Sequence, residues 1–176
     1  MLESEQVRLW TIGHSTRSLE EFIDILNEYG VEAIIDVRRF PASRRYPHFN
    51  RAEFEASLTA TEMAYLWLPE LGGRRTPAKD SINTGLHSQA FRGYADYMQS
   101  EEFRNGIERL KAAASARRAA VMCAEAVWWR CHRSLIADYL KAEGANVIHI
   151  MGLNNSTLHP YTPAARIIAG QLSYPG

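Results

Sequence analysis

The stretch VRLWTIGHSTRSLEEFIDILNEYGVEAIIDV, residues 7–37, decides the fold. Its two ends, 7–12 and 33–37, are short apolar runs typical of buried strands. Between them, Ser18 and Glu21 have the spacing of a capping box, an apolar stripe follows, and Gly30 stands where helices commonly end. The order strand, helix, strand predicts a βαβ unit in which the two strands lie parallel.

The rest of the chain continues the same alternation. Apolar runs predict further strands at 65–68, 119–122 and 146–151. The stretch 69–88 has few apolar residues and predicts a long loop. Helical patterns cover 50–63, 89–99, 101–114 and 134–141, and Thr162-Pro163 predicts the start of a terminal helix. We therefore expect an α/β fold: one three-layer domain over residues 1–176, with a mainly parallel sheet of about five strands and helices on both faces.

The composition favours some cellular locations and binding partners over others. The 176 residues are 46% hydrophobic and carry a formal net charge of zero, so nucleic-acid binding is possible but not favoured. Residues 1–6 show no signal-peptide pattern, no apolar run has membrane-spanning length, and there are only two cysteines. These features predict a cytoplasmic protein that does not bind membranes.

Reactive side chains are concentrated in Cys123-Ala124-Glu125 and Cys131-His132-Arg133. This segment joins a predicted strand to a predicted helix, and loops at the carboxyl ends of parallel strands usually form the ligand crevice of such sheets. A nearby cation or helix start stabilises a thiolate, so Cys123 is the candidate nucleophile. Cys131, at the predicted helix start, is the candidate for a packing role.

Other polar residues are expected at the same edge of the sheet. His14, Ser15 and Thr16 follow the first strand, Asp36 and Arg38 follow the second, and His149 lies in the last. Residues 37–52 contain arginines, among them Arg44, and no acidic residue, which is typical of a segment that grips an anion. Asp36 has two interpretations, a brace for the arginine loop or a group that orients an imidazole. His149 is equally compatible with a core histidine and a catalytic one.

The motifs together resemble a bacterial and archaeal family grouped as domain of unknown function 488. The matching segments are 11–16, 36–38 with Pro41 and 43–44, 71–73, 91–95, 123–125, 131–133 and 147–150. The resemblance implies an α/β domain and marks these residues for testing. It implies no particular reaction, because the family is named for lacking an established activity.

Three hypotheses follow. The first is an enzyme, a transferase or hydrolase, acting on an anionic phosphate- or nucleotide-containing substrate by thiol or acid/base chemistry. Its catalytic residues would be Cys123, Glu125, His132 and His149, and its substrate-binding residues would be His14, Ser15, Thr16, Asp36, Arg38, Arg44 and Arg133. The second is a Cys/His metal-binding protein, although the Cys-x7-Cys-His spacing matches no standard zinc pattern. The third is a non-catalytic nucleotide- or nucleic-acid-binding module. The sequence identifies no cofactor.

Overall fold

A computed structural model describes residues 6–176 and contains two sheets and five α-helices. The strands are β1 (Arg8–Gly13), β2 (Ala33–Asp36), β3 (Ala64–Trp67), β4 (Ala119–Cys123), β5 (Asn146–Gly152), β6 (Asn155–Leu158), β7 (Arg166–Ile168) and β8 (Gln171–Ser173). The helices are α1 (Leu19–Glu28), α2 (Arg51–Ala60), α3 (Gln89–Tyr97), α4 (Glu101–Ala116) and α5 (Arg133–Ala142).

The main sheet has the strand order β3-β2-β4-β1-β5-β6. Its first five strands are parallel, and β6 adds an antiparallel edge to β5. The prediction of a mainly parallel sheet is confirmed, with one more strand than expected. Because β1 and β4 are central neighbours, Gly13 pairs with Cys123 and the loops that leave both strands start side by side.

Two apolar cores, one on each face of the sheet, confirm the three-layer arrangement. One core contains Phe22 of α1 and Phe54 of α2, and the other contains Tyr94, Phe103 and the α5 residue Leu135. Strand residues alternate between the two cores, as the pleat requires. None of the helices in residues 6–176 is long and apolar enough to span a membrane.

The residues before α1 and α2 differ in whether they cap the helix. Ser18 accepts a hydrogen bond from the Glu21 backbone amide and so caps α1, as its spacing indicates. Asn50 precedes α2 but makes no side-chain cap, because its Oδ1 accepts a hydrogen bond from the Ser43 backbone amide instead. Asn50 thereby anchors the arginine loop that borders the site described below.

The predicted terminal helix is wrong, because 166–173 form the antiparallel hairpin β7–β8. Its turn residues, Ala169 and Gly170, both have positive φ angles, 51° and 76°. Two consecutive residues of positive φ match the twist of a two-residue hairpin. Ile167 and Ile168 also favour a strand, because β-branched side chains fit a pleated surface.

Candidate functional site

A cleft of about 700 Å³ opens at the carboxyl ends of β1, β2 and β4. Of the predicted site residues, those that line it are His14, Ser15, Thr16, Arg38, Cys123, Glu125 and His132. A slightly larger cavity, about 840 Å³, is lined by residues such as Val7 and Leu9 near the opposite end of β1. Its charged residues, Lys111 and Glu143, are paired with each other at 2.8 Å, so we assign the site to the cleft with the reactive groups.

The two cysteines meet at the base of the cleft. Cys123 is the last residue of β4 and Cys131 lies two residues before α5, and their Sγ atoms are 2.8 Å apart. Both are free thiols, and both side chains are almost wholly buried. The loop after Cys123 packs closely against the end of β1, where only glycine fits, because a Cβ on Gly13 would lie 1.8 Å from the carbonyl oxygen of Glu125.

Arg133 donates hydrogen bonds to both sulfurs and does not itself line the cleft. Its side chain is only 1% exposed. Nε donates to Cys123 Sγ at 3.0 Å, Nη1 to Thr11 Oγ1 at 3.0 Å, and Nη2 to the Glu125 carbonyl at 2.7 Å. Within residues 6–176, no carboxylate lies within salt-bridge distance of this guanidinium. A buried cation without a counter-charge is costly, so the partner expected here is a thiolate.

The sulfur pair shares the resulting charge unequally. Burial favours the neutral thiol, but the hydrogen bond from Cys123 and the charge and backbone amide of Arg133 outweigh it and lower the pKa of Cys131 to about 7. Burial and the neighbouring Cys131 raise the pKa of Cys123 well above its usual value. Burial alone would lower the pKa of Arg133, but the two sulfurs raise it. The sequence favours Cys123 as the nucleophile, whereas the directions of these two pKa shifts favour Cys131.

His132 is the imidazole beside the thiols. Its Nε2 donates to the Val37 carbonyl at 3.2 Å, which leaves the lone pair on Nδ1, and Nδ1 lies 3.5 Å from Cys131 Sγ. Burial lowers the pKa of His132, so the ring is neutral at pH 7. A neutral imidazole facing a thiol is the arrangement of a base beside its nucleophile.

His149 is fully buried and does not line the cleft. It belongs to a chain of hydrogen bonds between buried polar side chains. Its Nδ1 accepts from Thr11 Oγ1 at 2.5 Å, and its Nε2 donates to His159 Nδ1 at 2.8 Å. His159 Nε2 then donates to Asp138 Oδ1 at 2.7 Å. Since Thr11 also accepts from Arg133, the chain connects the Asp138 carboxylate to the thiol pair through hydrogen bonds alone.

Asp138 and His159, at the far end of this chain of hydrogen bonds, were not identified from the sequence as site residues. Asp138 carries the clearest signal, because it is a charged residue on the buried face of α5. His159 follows β6 and belongs to no predicted element. Burial lowers the pKa of His149 to about 2, so the ring stays neutral, and both of its nitrogens are already hydrogen-bonded, to Thr11 and to His159.

Asp36 braces Arg38, the first of the two interpretations drawn from the sequence. Its carboxylate is fully buried and accepts from the Arg38 Nε and Nη2 atoms at 2.9 and 2.8 Å, and from the Tyr65 hydroxyl. Arg38 also donates to the Phe49 carbonyl at 2.8 Å. Its charge is therefore compensated inside the protein. Arg44 is exposed on the same loop and does not line the cleft.

His14 lines the cleft as a neutral ring. Its Nδ1 donates to the Ser15 carbonyl at 2.9 Å, and the ring stacks on Phe49 at 4.2 Å. Burial lowers the pKa of His14 to about 4, with a further contribution from Arg38. The backbone amides of His14 and Ser15 are already bound to carbonyl oxygens of 123–124. This turn therefore shapes the cleft and offers no positive charge to a ligand.

The positive charge at the cleft opening comes from other arginines. Arg39, Arg74 and Arg130 are exposed and line the cleft, and the salt bridges found within residues 6–176 include none of them. Arg39 donates to the Arg74 carbonyl at 3.0 Å, which ties the two segments together. Phe40, 65% exposed, lies beside them. We refer to Arg39, Arg74 and Arg130 as the arginine rim.

Groups of three or more metal-binding side chains with suitable geometry are absent from residues 6–176, so the metal hypothesis gains no support. The acidic group on the cleft is Glu125, whose Oε1 lies 3.5 Å from the Val127 amide. Thiols, a neutral imidazole and a carboxylate thus face one cavity below the arginine rim. This set can carry out nucleophilic and acid/base steps on an anionic molecule.

Comparison with known proteins agrees with the motifs. Searches of curated proteins and of solved structures return no match. A family profile, Domain of unknown function DUF488, matches residues 18–140, which include the arginine rim and both cysteines. On this match over more than half of its length, the chain belongs to the DUF488 family.

Proposed function

We propose that the cleft is the active site of a thiol-dependent transferase or hydrolase whose nucleophile is Cys131. The observation that carries this proposal is Arg133, a buried guanidinium whose hydrogen-bond partners are a thiol, a hydroxyl and carbonyl oxygens. A thiolate in the pair neutralises this cation, and the thiolate is the reactive form of cysteine.

In the proposed reaction, the Cys131 thiolate attacks an electrophilic centre of the substrate and the leaving group departs. His132 Nδ1, 3.5 Å from the sulfur, takes the proton when the thiol is neutral. Glu125, on the wall of the cleft, is placed to donate a proton to the leaving group or to activate the acceptor that releases the product. An acceptor other than water makes the enzyme a transferase, and water makes it a hydrolase.

The proposed substrate carries a phosphate or a similar anion. The arginine rim supports this choice, because guanidinium groups bind planar and tetrahedral oxyanions through paired hydrogen bonds. The cavity of about 700 Å³ suits a small molecule of nucleotide size. Phe40 offers an exposed ring next to the rim on which a base can stack.

Alkylation of the folded protein with iodoacetamide should reveal one reactive thiol with an apparent pKa of about 7, below the free value of about 8.5. Cys131→Ala is expected to abolish the fast reaction. Cys123→Ser keeps a hydrogen-bond donor near Cys131 and should preserve the low pKa, whereas Cys123→Ala removes the donor and should raise it. The rate is measured against pH by mass spectrometry, with peptide mapping to locate the label.

A reactive thiol with an ordinary pKa, or labelling of Cys123 in preference to Cys131, would contradict the assignment of the nucleophile. The comparison between Cys123→Ser and Cys123→Ala controls for packing, because both variants remove the same sulfur. Equal thiol pKa values in these two variants would show that the hydrogen bond from Cys123 does not stabilise the thiolate.

Inorganic phosphate, pyrophosphate and a nucleoside monophosphate should each slow this alkylation if the cleft binds anions. Changing Arg39, Arg74 and Arg130 together to glutamine is expected to weaken this protection about tenfold or more, because a charged hydrogen bond contributes about 1.5–3 kcal/mol. The matched control changes the exposed residues Arg8, Arg104 and Arg166 to glutamine, since they do not line the cleft. An equal loss of protection in both variants would mean that the anions respond to the net charge of the protein and not to the arginine rim.

The two experiments also separate the enzyme from the alternative of a binding module. Protection by phosphate together with an ordinary thiol pKa would favour non-catalytic anion binding. A low thiol pKa without protection would support the thiol chemistry and overturn the anionic substrate.

A further inference from the structure

We propose that Cys123 and Cys131 form a reversible intramolecular disulfide, which makes the pair a site of redox modification at the base of the cleft. The contact between the two sulfurs carries this inference. Their separation is 2.8 Å, and both residues line the cleft, so a small oxidant can reach them. This goes beyond the proposed function, in which Cys123 only donates a hydrogen bond.

The backbone around the pair is compatible with closing the bond. A disulfide needs an S–S distance of about 2.05 Å, so the sulfurs must approach by roughly 0.8 Å from their 2.8 Å separation. Cys131 lies between the short helical turn Trp128–Arg130 and α5, so it belongs to a connecting segment and not to a strand. A movement of this size is within the reach of small side-chain rotations.

The chemistry balances with hydrogen peroxide as oxidant. The Cys131 thiolate attacks one peroxide oxygen, the O–O bond breaks, hydroxide leaves, and Cys131 becomes a sulfenic acid. Cys123 then attacks the Cys131 sulfur, the S–S bond forms, the S–O bond breaks, and the departing hydroxide takes the Cys123 proton as water. Two equivalents of an external thiol restore both cysteines by exchange.

Arg133 makes this disulfide easy to reduce. In the reduced pair, the guanidinium donates to Cys123 Sγ at 3.0 Å and faces a shared negative charge. The disulfide carries no charge, so oxidation leaves a buried cation with neutral acceptors only. Stabilisation of the reduced form makes a disulfide more oxidising, which is typical of catalytic or regulatory pairs and not of structural ones.

The test treats the folded protein with hydrogen peroxide and follows its intact mass. We expect a loss of two hydrogen atoms, a peptide in which Cys123 is linked to Cys131, and full recovery of both thiols with dithiothreitol. In Cys123→Ser, the bond cannot form, so Cys131 should instead gain oxygen and be trapped by dimedone as a sulfenic acid. The oxidised wild type should resist iodoacetamide until it is reduced.

A glutathione titration tests the role of Arg133. In the Arg133→Met variant, the ratio [GSH]²/[GSSG] at half-reduction should be about tenfold or more higher than in the wild type, since the charged hydrogen bond to the reduced pair is gone. An unchanged midpoint would overturn the effect assigned to Arg133. Should this variant fail to fold, the pH dependence of the wild-type midpoint gives the same information, because it reports the thiolate in the reduced pair.

Intermolecular dimers, or stepwise oxygen addition to both cysteines without a linked peptide, would overturn the proposal. These outcomes are independent of the proposed function. The disulfide requires only the two sulfurs, so it would survive a finding that phosphate does not bind, and a failure of the disulfide would leave the thiol pKa and the phosphate protection unaffected.

Discussion

Replacing both Cys123 and Cys131 with alanine is expected to lower the free energy of unfolding by about 3–5 kcal/mol at a pH near 8, where the sulfur pair carries its negative charge. The reason is Arg133, which is almost fully buried and would lose the sulfur pair that supplies its counter-charge and that its guanidinium contacts at Cys123. The loss of packing alone would lower the free energy of unfolding by much less, because each substitution removes only one buried sulfur atom. Urea unfolding in the presence of a reductant measures the difference.

Adding Arg133→Met to this double variant should restore about 1 kcal/mol or more, because methionine fills a similar volume without burying a charge. The recovery distinguishes an uncompensated cation from a simple cavity, which a further substitution would not repair. If Arg133→Met instead destabilises the double variant further, the thiols do not act as the counter-charge of Arg133.

Acidification from about pH 7.5 to about pH 5.5 is expected to cost roughly 3 kcal/mol of stability through His14 and His149 alone. Burial lowers the pKa of His14 to about 4 and that of His149 to about 2, from 6.5 in the unfolded chain. Because both folded values are depressed, the stability is fully present above pH 6.5. It is lost as the pH falls, down to about 4 for His14 and about 2 for His149.

The variant His149→Gln isolates one half of this effect. Glutamine can accept from Thr11 and donate to His159, as His149 does, but it does not titrate. The pH-dependent loss should therefore shrink by about 1.4 kcal/mol over the same interval, whatever the stability of the variant at pH 7.5. Parallel stability curves for the wild type and His149→Gln would show that His149 is not held neutral in the folded protein.

Much of the fold was predictable because local patterns and packing agree. The βαβ unit of residues 7–37 appears as β1, α1 and β2, with Ser18 as the cap and Gly30 at a positive φ of 64°. The terminal hairpin was missed because Thr162-Pro163 satisfies a helix-start pattern. The positive φ angles of Ala169 and Gly170, which turn the chain back, are not encoded in that pattern.

The candidate site was predictable in its composition but not in its roles. The sequence identifies the Cys, His and Arg segments, and the topology explains why the loops after β1 and β4 meet. The sequence does not show that Asp36 neutralises Arg38, or that the rim consists of Arg39, Arg74 and Arg130. These differences depend on which guanidinium groups find a buried acceptor, a property of side-chain packing across elements distant in the chain.

The sequence by itself determined the α/β class, the family, and the segment that holds both cysteines, because these follow from periodicity and from motifs that are local in the chain. Only the tertiary structure decided how that segment works. It brings Cys123 and Cys131 to 2.8 Å, buries Arg133 against them, and moves His149 into the supporting chain that ends at Asp138. The distances between these side chains and their burial set their charges, and neither quantity can be read from the sequence.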